Sequence, residues 1–300
     1  MPQTSTDAGS IQDTKDIVIA FQGEHGAYSE AAAFNHFGPE ITTLPCGTFE
    51  KVFTTVNDGE CTYGLLPFEN SLAGSIHRNY DLMLRYDLSI TSEYHLRVNH
   101  CLLALPGVQI TDLRRVHSHP QALAQCETSL TRLGVDRIAE SDTAGSARMI
   151  KEMNDKAAGA LASQRASEVY DLEILAENME DNPENYTRFL ALSKVQKSGE
   201  GVEQGDYKTS VVFSLENKPG ALFKALGVFA MREIDLTKIE SRPLIGKPWE
   251  YLFYIDFAGH IDSSSCSRAL VHLEEIAPFI RVLGSYPRHK RWAIVKTCKL

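Results

Sequence analysis

The chain has no long apolar run, no paired-cysteine spacing and no surplus of positive charge. Each absence removes a class of function. Without a stretch of about 18 apolar residues, no segment is expected to cross a membrane, so no membrane partner is expected. The six cysteines, Cys46, Cys61, Cys101, Cys126, Cys266 and Cys298, form no CxxC pair and sit in no His-rich spacing. They read as reduced thiols filling small spaces in cores, with no metal site and no local signature of a catalytic cysteine. Acidic residues outnumber basic ones 39 to 30, for a net charge of −9, which argues against nucleic acid as a partner. The first sixteen residues, MPQTSTDAGSIQDTKD, carry three aspartates and no apolar stretch, so neither a secretory signal nor an Arg-rich transit peptide is read there. A cytoplasmic protein is the expectation.

Hydrophobic residues make up 43% of the chain and charged ones 23%, the balance of an ordinary globular protein, and 300 residues fit two domains. The clearest break is KVQKSGEGVEQGDYK, residues 194–208, polar and without periodicity, within which a linker is expected at 196–207. Before it, over 16–195, short apolar runs alternate with helical patterns, the sign of βα units and a mainly parallel sheet. After it, over 208–290, the order is βαββαβ, a ferredoxin-like plan whose simplest use is binding or dimerisation.

Four strand-to-helix junctions in the first domain share a form. They carry Tyr28 and Ser29 in GEHGAYSEAA, Glu69, Asn70 and Ser71 in PFENSLAGSI, Ser118, His119 and Gln121 in SHPQAL, and Thr143 in DTAGSA. Small hydroxyl and amide residues gather where helices start, with Ser118 readable as an N-cap. Free backbone N–H groups and the positive dipole end face outward at such places. One such junction is only a capped helix. Four, two in each half, suggest two α/β lobes around a cleft for a small polyanion. A further oddity is ENYTRF, residues 184–189, where a hydroxyl and a guanidinium stand at the lip of a strand that reads as buried. A core strand needs neither.

Taken together and in this order, these segments with NKPGALFKAL and KIESRP resemble the prephenate dehydratase/arogenate dehydratase family from Ile17 to Pro287. The first segments, with NYTRF, resemble the dehydratase signature, and the last two its phenylalanine-binding ACT domain. The resemblance implies an α/β fold: a two-lobed, periplasmic-binding-protein-like catalytic domain followed by a ferredoxin-like ACT domain. Two departures are visible. Glu24 and His25 stand where relatives usually carry a proline, and no helical mutase domain is expected in the 16 residues before the first strand.

The reaction implied is loss of carbon dioxide and hydroxide from prephenate, giving phenylpyruvate, or from arogenate, giving phenylalanine. Aromatisation drives it, so no cofactor and no metal is expected. Thr187 is the expected proton donor to the departing hydroxyl. Asn70, Ser71, Ser118, Gln121 and Thr143 would grip the pyruvyl group as uncharged donors, with Glu69, Tyr28 and Ser29 lining the same cleft. His119 is either a proton carrier or a loop histidine bonded to the backbone. Arg188, facing away from Thr187 along a strand, either meets substrate or is structural, for instance through Glu69. His77 and Arg78 read as an exposed helical face. In the second domain the resemblance assigns Asn217, Gly220, Ala221, Leu222, Glu240, Ser241 and Arg242 to L-phenylalanine, bound between ACT domains of a homodimer or homotetramer. A ligand-sensing binding protein of the same shape is the competing reading.

Overall fold

The computed structural model describes residues 17–194, 207–244 and 250–289. The expected linker lies outside these except for Tyr207, which already opens a strand, and Cys298 and the first sixteen residues lie outside as well.

The chain starts with β1 (Val18–Gln22), α1 (Tyr28–Phe37), β2 (Thr42–Cys46), α2 (Phe49–Asp58), β3 (Tyr63–Asn70), the two-residue β4 (Gly74–Ser75), α3 (His77–Arg85) and β5 (Ser89–Arg97). It crosses to a second lobe through Val98–His100. That lobe holds β6 (Cys101–Ala104), β7 (Arg115–Ser118), α4 (Pro120–Gln125), α5 (Glu127–Leu133), β8 (Asp136–Ala139), α6 (Thr143–Met153), β9 (Ala158–Ala162), α7 (Gln164–Tyr170) and β10 (Glu173–Ala176). The return crossing leads to β11 (Tyr186–Ser193), which inserts between β3 and β5 of the first lobe. Sheet order is β2-β1-β3-β11-β5 in one lobe and β10-β6-β9-β7-β8 in the other.

Both sheets are mixed rather than mainly parallel. β1 runs parallel to β2 and β3, but β11 is antiparallel to both its neighbours. In the second lobe β7 is parallel to β8 and β9, whereas β6 is antiparallel to β9 and β10. The βα units make the parallel parts. A strand entering or leaving across the hinge, with no crossover helix, has no such constraint on its direction. β9 (AGALA) is buried at every position, as a strand covered on both faces must be.

The third unit comprises β12 (Tyr207–Ser214), α8 (Ala221–Ala230), β13 (Leu236–Pro243), β14 (Tyr251–Ala258), α9 (Ser264–Ile276) and β15 (Phe279–Pro287), with sheet order β13-β14-β12-β15. Its helices cover one face around Val211, Phe213, Phe229 and Ile255. Its other face carries Val212, Leu252, Tyr254, Leu283 and Tyr286, which join Phe68, Tyr80, Ile90 and Leu190 of the first lobe in one core. The approach is close at Gly284, where a Cβ would fall on the Ile90 carbonyl oxygen, so no larger residue fits without moving backbone.

Arg188 lies in this interface. Its Nε is 2.8 Å from Glu93, its Nη1 2.6 Å from Asp256 and its Nη2 2.9 Å from the Tyr286 hydroxyl, while Glu69 is at 3.9 Å. Lys208 also pairs with Glu93 at 2.8 Å. Burial would raise the Glu93 carboxyl, but His95, Arg188 and Lys208 together hold it well below the usual carboxylate range. Arg188 thus joins the first lobe to the third unit. Beside it Lys238 sits 3.0 Å from Glu69, Glu240 accepts from the Ser75 hydroxyl at 2.7 Å, and Arg242 is 3.1 Å from Asp81.

Removing the guanidinium leaves buried Asp256 without its cation and Glu93 with Lys208 alone, so Arg188→Met should cost about 3–5 kcal/mol of stability, read as a lowered unfolding temperature. Because the Glu93 carboxyl is depressed in the folded state, its contribution is fully present above the unfolded carboxylate value and is lost as pH falls. Glu93→Gln should therefore flatten the loss of stability between about pH 5 and pH 2 relative to the unmodified chain.

Candidate functional site

The C-terminal end of β3 and the start of β11, where the chain returns from the second lobe, are adjacent antiparallel strands in which Thr187 is registered with Asn70. PFENSLAGSI does not start a helix at Asn70 as its small residues suggest. It forms the β3–β4 hairpin, and α3 begins only at His77 without a side-chain cap. The Asn70 side chain makes the turn instead, its Oδ1 accepting from the N–H groups of Leu72 at 3.1 Å and Ala73 at 2.9 Å. Two backbone donors on the oxygen settle which end of the amide is which.

The Nδ2 of Asn70 therefore donates, with Asn185 Oδ1 at 2.8 Å, Thr187 Oγ1 at 3.0 Å and the Tyr186 carbonyl at 3.2 Å as its acceptors. A hydroxyl has one proton and two lone pairs. With a lone pair of Thr187 taken by Asn70, its proton is left free for a third group. Thr187 is 9% exposed, so it is reachable yet largely out of water. A hydroxyl held this way still has a proton to give.

The remaining expected residues fall in several places. The Ser71 hydroxyl donates to the Glu184 carbonyl at 2.7 Å and accepts from the Tyr186 N–H, stapling the hairpin to the segment before β11. Ser118 is fully buried and donates to the Leu161 carbonyl at 2.7 Å. It is not the cap of α4. That position is His119, whose Nδ1 accepts from the Gln121 N–H at 3.2 Å, leaving the exposed Gln121 side chain at the helix start. Thr143 opens α6 next to its cap Asp142, which accepts from Gly145. The Tyr28 hydroxyl points into the hinge, 3.0 Å from the Asn99 carbonyl and 2.7 Å from His100 Nδ1. Ser29 is buried in the first turn of α1. Glu69 and Arg188 face the third unit rather than Thr187. Direct bonds thus unite Thr187, Asn70 and Ser71 with the paired strands, while Gln121, His119 and Thr143 stand on the opposite lobe without contact to them.

The glycine-rich loop before α1 crosses between lobes. Gly26 has φ +85°, and a Cβ on it would meet the Ala166 backbone of α7 at 2.9 Å, so only glycine allows this approach. The Gly26 carbonyl accepts from Ser163, and Glu24 pairs with Arg148 at 2.7 Å. His25 bonds the buried Glu30 carboxylate at 2.7 Å. The two residues that replace the usual proline are thus both engaged in ion pairing or hydrogen bonding.

Three residues escaped the sequence reading: Asn185, His100 and Gln125. Asn185 has no exposed surface and stands two residues before Thr187. His100 is also buried, and desolvation pushes its imidazole below the ordinary value despite the Gln125 bond. Reactive thiols are not available here: burial pushes Cys126 up to about 12 and Cys101 to about 11. Among the described residues no group of three or more His, Cys, Asp or Glu is placed to hold a metal.

In the third unit, Ser214, Leu252 and Arg242 are in register across β12, β14 and β13, so the Asn217–Gly220 turn and Ser241–Arg242 lie at one end of the sheet. Strand alternation separates them: Glu240 and Arg242 face the first lobe and Ser241 faces outward, exposed. Gly220 has φ +77° and opens α8. A cavity of about 610 Å³ beside this turn is lined by Ala221, Pro219, Lys224 and Glu274–Pro278, and reaches only Ala221 of the expected set.

Two α/β lobes followed by a βαββαβ unit define a ligand-binding α/β protein with a second small domain appended. The prephenate dehydratase family model matches residues 19–197 and the ACT domain model residues 209–265. The chain belongs to the prephenate dehydratase family and is a dehydratase, a lyase, by membership. It is 50% identical over 290 residues to an arogenate dehydratase/prephenate dehydratase of Arabidopsis thaliana described as chloroplastic, covering 93% of this chain and 74% of that one. It is 48% identical to arogenate dehydratase 2 of Petunia hybrida, covering 95% and 76%. Among solved structures, prephenate dehydratase from Arthrobacter aurescens in complex with L-Phe superposes with a TM-score of 0.82 at 34% identity, covering 91% of this chain and 90% of that one. Another, described as GqqA, a novel type of quorum quenching acylase, gives 0.85 at 40% identity, covering 91% and 98%.

Thr187→Val keeps the shape of the side chain and removes the proton. It should lower kcat by about 10²–10⁴-fold while KM stays within about threefold, measured by steady-state kinetics.

Proposed function

We propose that the chain converts prephenate to phenylpyruvate, carbon dioxide and water, under inhibition by L-phenylalanine. The observation that carries this reading is the free proton of Thr187, fixed by Asn70, where the chain returns from the second lobe. The bond from the ring to its carboxylate breaks and its electron pair enters the ring. The C–O bond at the opposite ring position breaks, and the leaving hydroxide takes the Thr187 proton as it departs. One proton from solvent restores the threonine. The start of α6 at Thr143 and that of α4 at Gln121 offer uncharged donors to the pyruvyl carboxylate across the cleft. Arg188, the cation next to Thr187 on β11, is spent on Glu93 and Asp256, so the strand itself offers no free cation to the Thr187 side. The ring carboxylate is thus left without a strong counter-charge, which favours its loss.

Arogenate is the second substrate reading, supported by the names of the relatives. A ketone and an ammonium need opposite hydrogen bonding, so one or two cleft groups decide between them. An acylase, as one structural neighbour is described, needs an activated nucleophile. Ser71 and the fully buried Ser118 donate to carbonyls, and Thr187 is bonded by an amide rather than a base. For phenylalanine, the Asn217–Gly220 turn, the start of α8 and the outward Ser241 form the candidate pocket, completed by the ACT domain of a second copy. A cytoplasmic setting belongs to the same proposal; among the described residues no helix is long and apolar enough to cross a membrane.

Initial rates on prephenate and on arogenate, each with and without phenylalanine, test this. Prephenate turnover suppressed by phenylalanine is expected, with Ser241→Leu relieving the suppression while leaving uninhibited kcat within about twofold. Preference for arogenate would move the substrate and keep the mechanism. Binding of either substrate without turnover would make the chain a sensor.

A further inference from the structure

The hydrogen bonds behind Thr187 continue past Asn185, and their direction can be followed atom by atom. Asn70 Nδ2 donates to Asn185 Oδ1, so the other end of that amide, Nδ2, is a donor, and it meets Gln125 Oε1 at 3.1 Å. Gln125 Oε1 is therefore an acceptor. His100 Nε2 lies 2.9 Å from the same oxygen and must carry a hydrogen. In the tautomer with one ring hydrogen, Nδ1 is bare and lies 2.7 Å from the Tyr28 hydroxyl, whose single proton it shares with the Asn99 carbonyl at 3.0 Å. The orientation of each amide follows from the two backbone N–H groups that fix Asn70.

The members come from different bodies. Asn70 and Tyr28 belong to the first lobe, His100 and Asn185 to the two hinge crossings, and Gln125 to α4 of the second lobe. If Asn185 turned over, its Nδ2 would face the Asn70 Nδ2, donor against donor, and would push that amide off Thr187. Gln125 prevents the turn by accepting from Asn185. We propose that Gln125, acting through Asn185 and with His100 behind it, is a positioning residue for the dehydration. It ties the aim of the Thr187 proton to the position of the second lobe, so that the donor is set only when the lobes stand as they do here. The inference rests on the dehydratase reading for its kinetic consequence, but not for its hydrogen-bond pattern.

Gln125→Met and Gln125→Glu in the full chain separate positioning from mere packing. Methionine keeps the shape and accepts nothing, whereas glutamate offers an acceptor oxygen to both donors. With whichever of prephenate and arogenate the unmodified chain turns over, Gln125→Met should lose about 10²-fold in kcat with KM within about threefold. Gln125→Glu should recover most of that loss. Met activity within about threefold of the unmodified chain, or equal loss in both variants, overturns the proposal. A second readout needs no turnover: nitrogen NMR of histidine-labelled unmodified protein, with His100 assigned through His100→Gln, should show the Nε2–H tautomer. The Nδ1–H tautomer would overturn the relay, and this holds whether or not Gln125→Met folds. An inactive unmodified chain with the expected tautomer would count against the proposed reaction and leave the relay standing.

Discussion

A strand sends successive side chains to opposite faces, and β11 uses this to serve two bodies at once. Thr187 bonds Asn70 on one face and Arg188 points into the third unit on the other, so the proposed proton donor and the interdomain anchor are neighbours on one backbone. Neither could shift by a residue without exchanging places with the other. The antiparallel insertion of β11 between β3 and β5 makes this possible, because it brings the returning chain to the middle of the sheet, beside Asn70 on one side and Glu93 on the other. The charges on the Arg188 side are paired and buried, and the Thr187 side is built from neutral groups. That division suits a reaction in which one carboxylate must leave.

Much of the architecture was legible because it rests on local signals. The βαββαβ order after residue 208 was read from such signals, and Thr143 was placed where a helix starts. Thr187 stood out because a hydroxyl at the lip of an apolar strand has no local use. What failed depended on non-local partners. NSLAG reads equally well as a helix start and as a turn, and the choice went to the hairpin because β3 has β11 to pair with. SHP offers two residues that could cap α4, and the second did so because Ser118 is drawn under β9 by the Leu161 carbonyl. Alternation showed which way Arg188 faces but not that a second domain waits there.

Asn185 was within reach of the sequence, since it stands two residues before Thr187, although it precedes β11 by one position. Gln125 and His100 were not. A glutamine at the end of a short helix and a histidine between two strands have no shared pattern, and only the folded hinge brings them together. Polar groups buried at a hinge are held by mutual bonding, and each must be satisfied for the others to be. Such a cluster therefore favours one arrangement of the lobes over neighbouring ones.

The close approach of Gly284 to Ile90 bears on how such chains can be rearranged over time. An appended regulatory domain is usually pictured as a module that can be exchanged for another of the same fold. Here the sheet of the appended unit completes the core of the first lobe, backbone against backbone, with Tyr286 and Asp256 supplying partners to an arginine of that lobe. A foreign domain of identical topology would bring a side chain where only hydrogen fits, and would leave a guanidinium unpaired. The two parts are consequently fitted to each other, and substitutions on either side of the seam are constrained by the other.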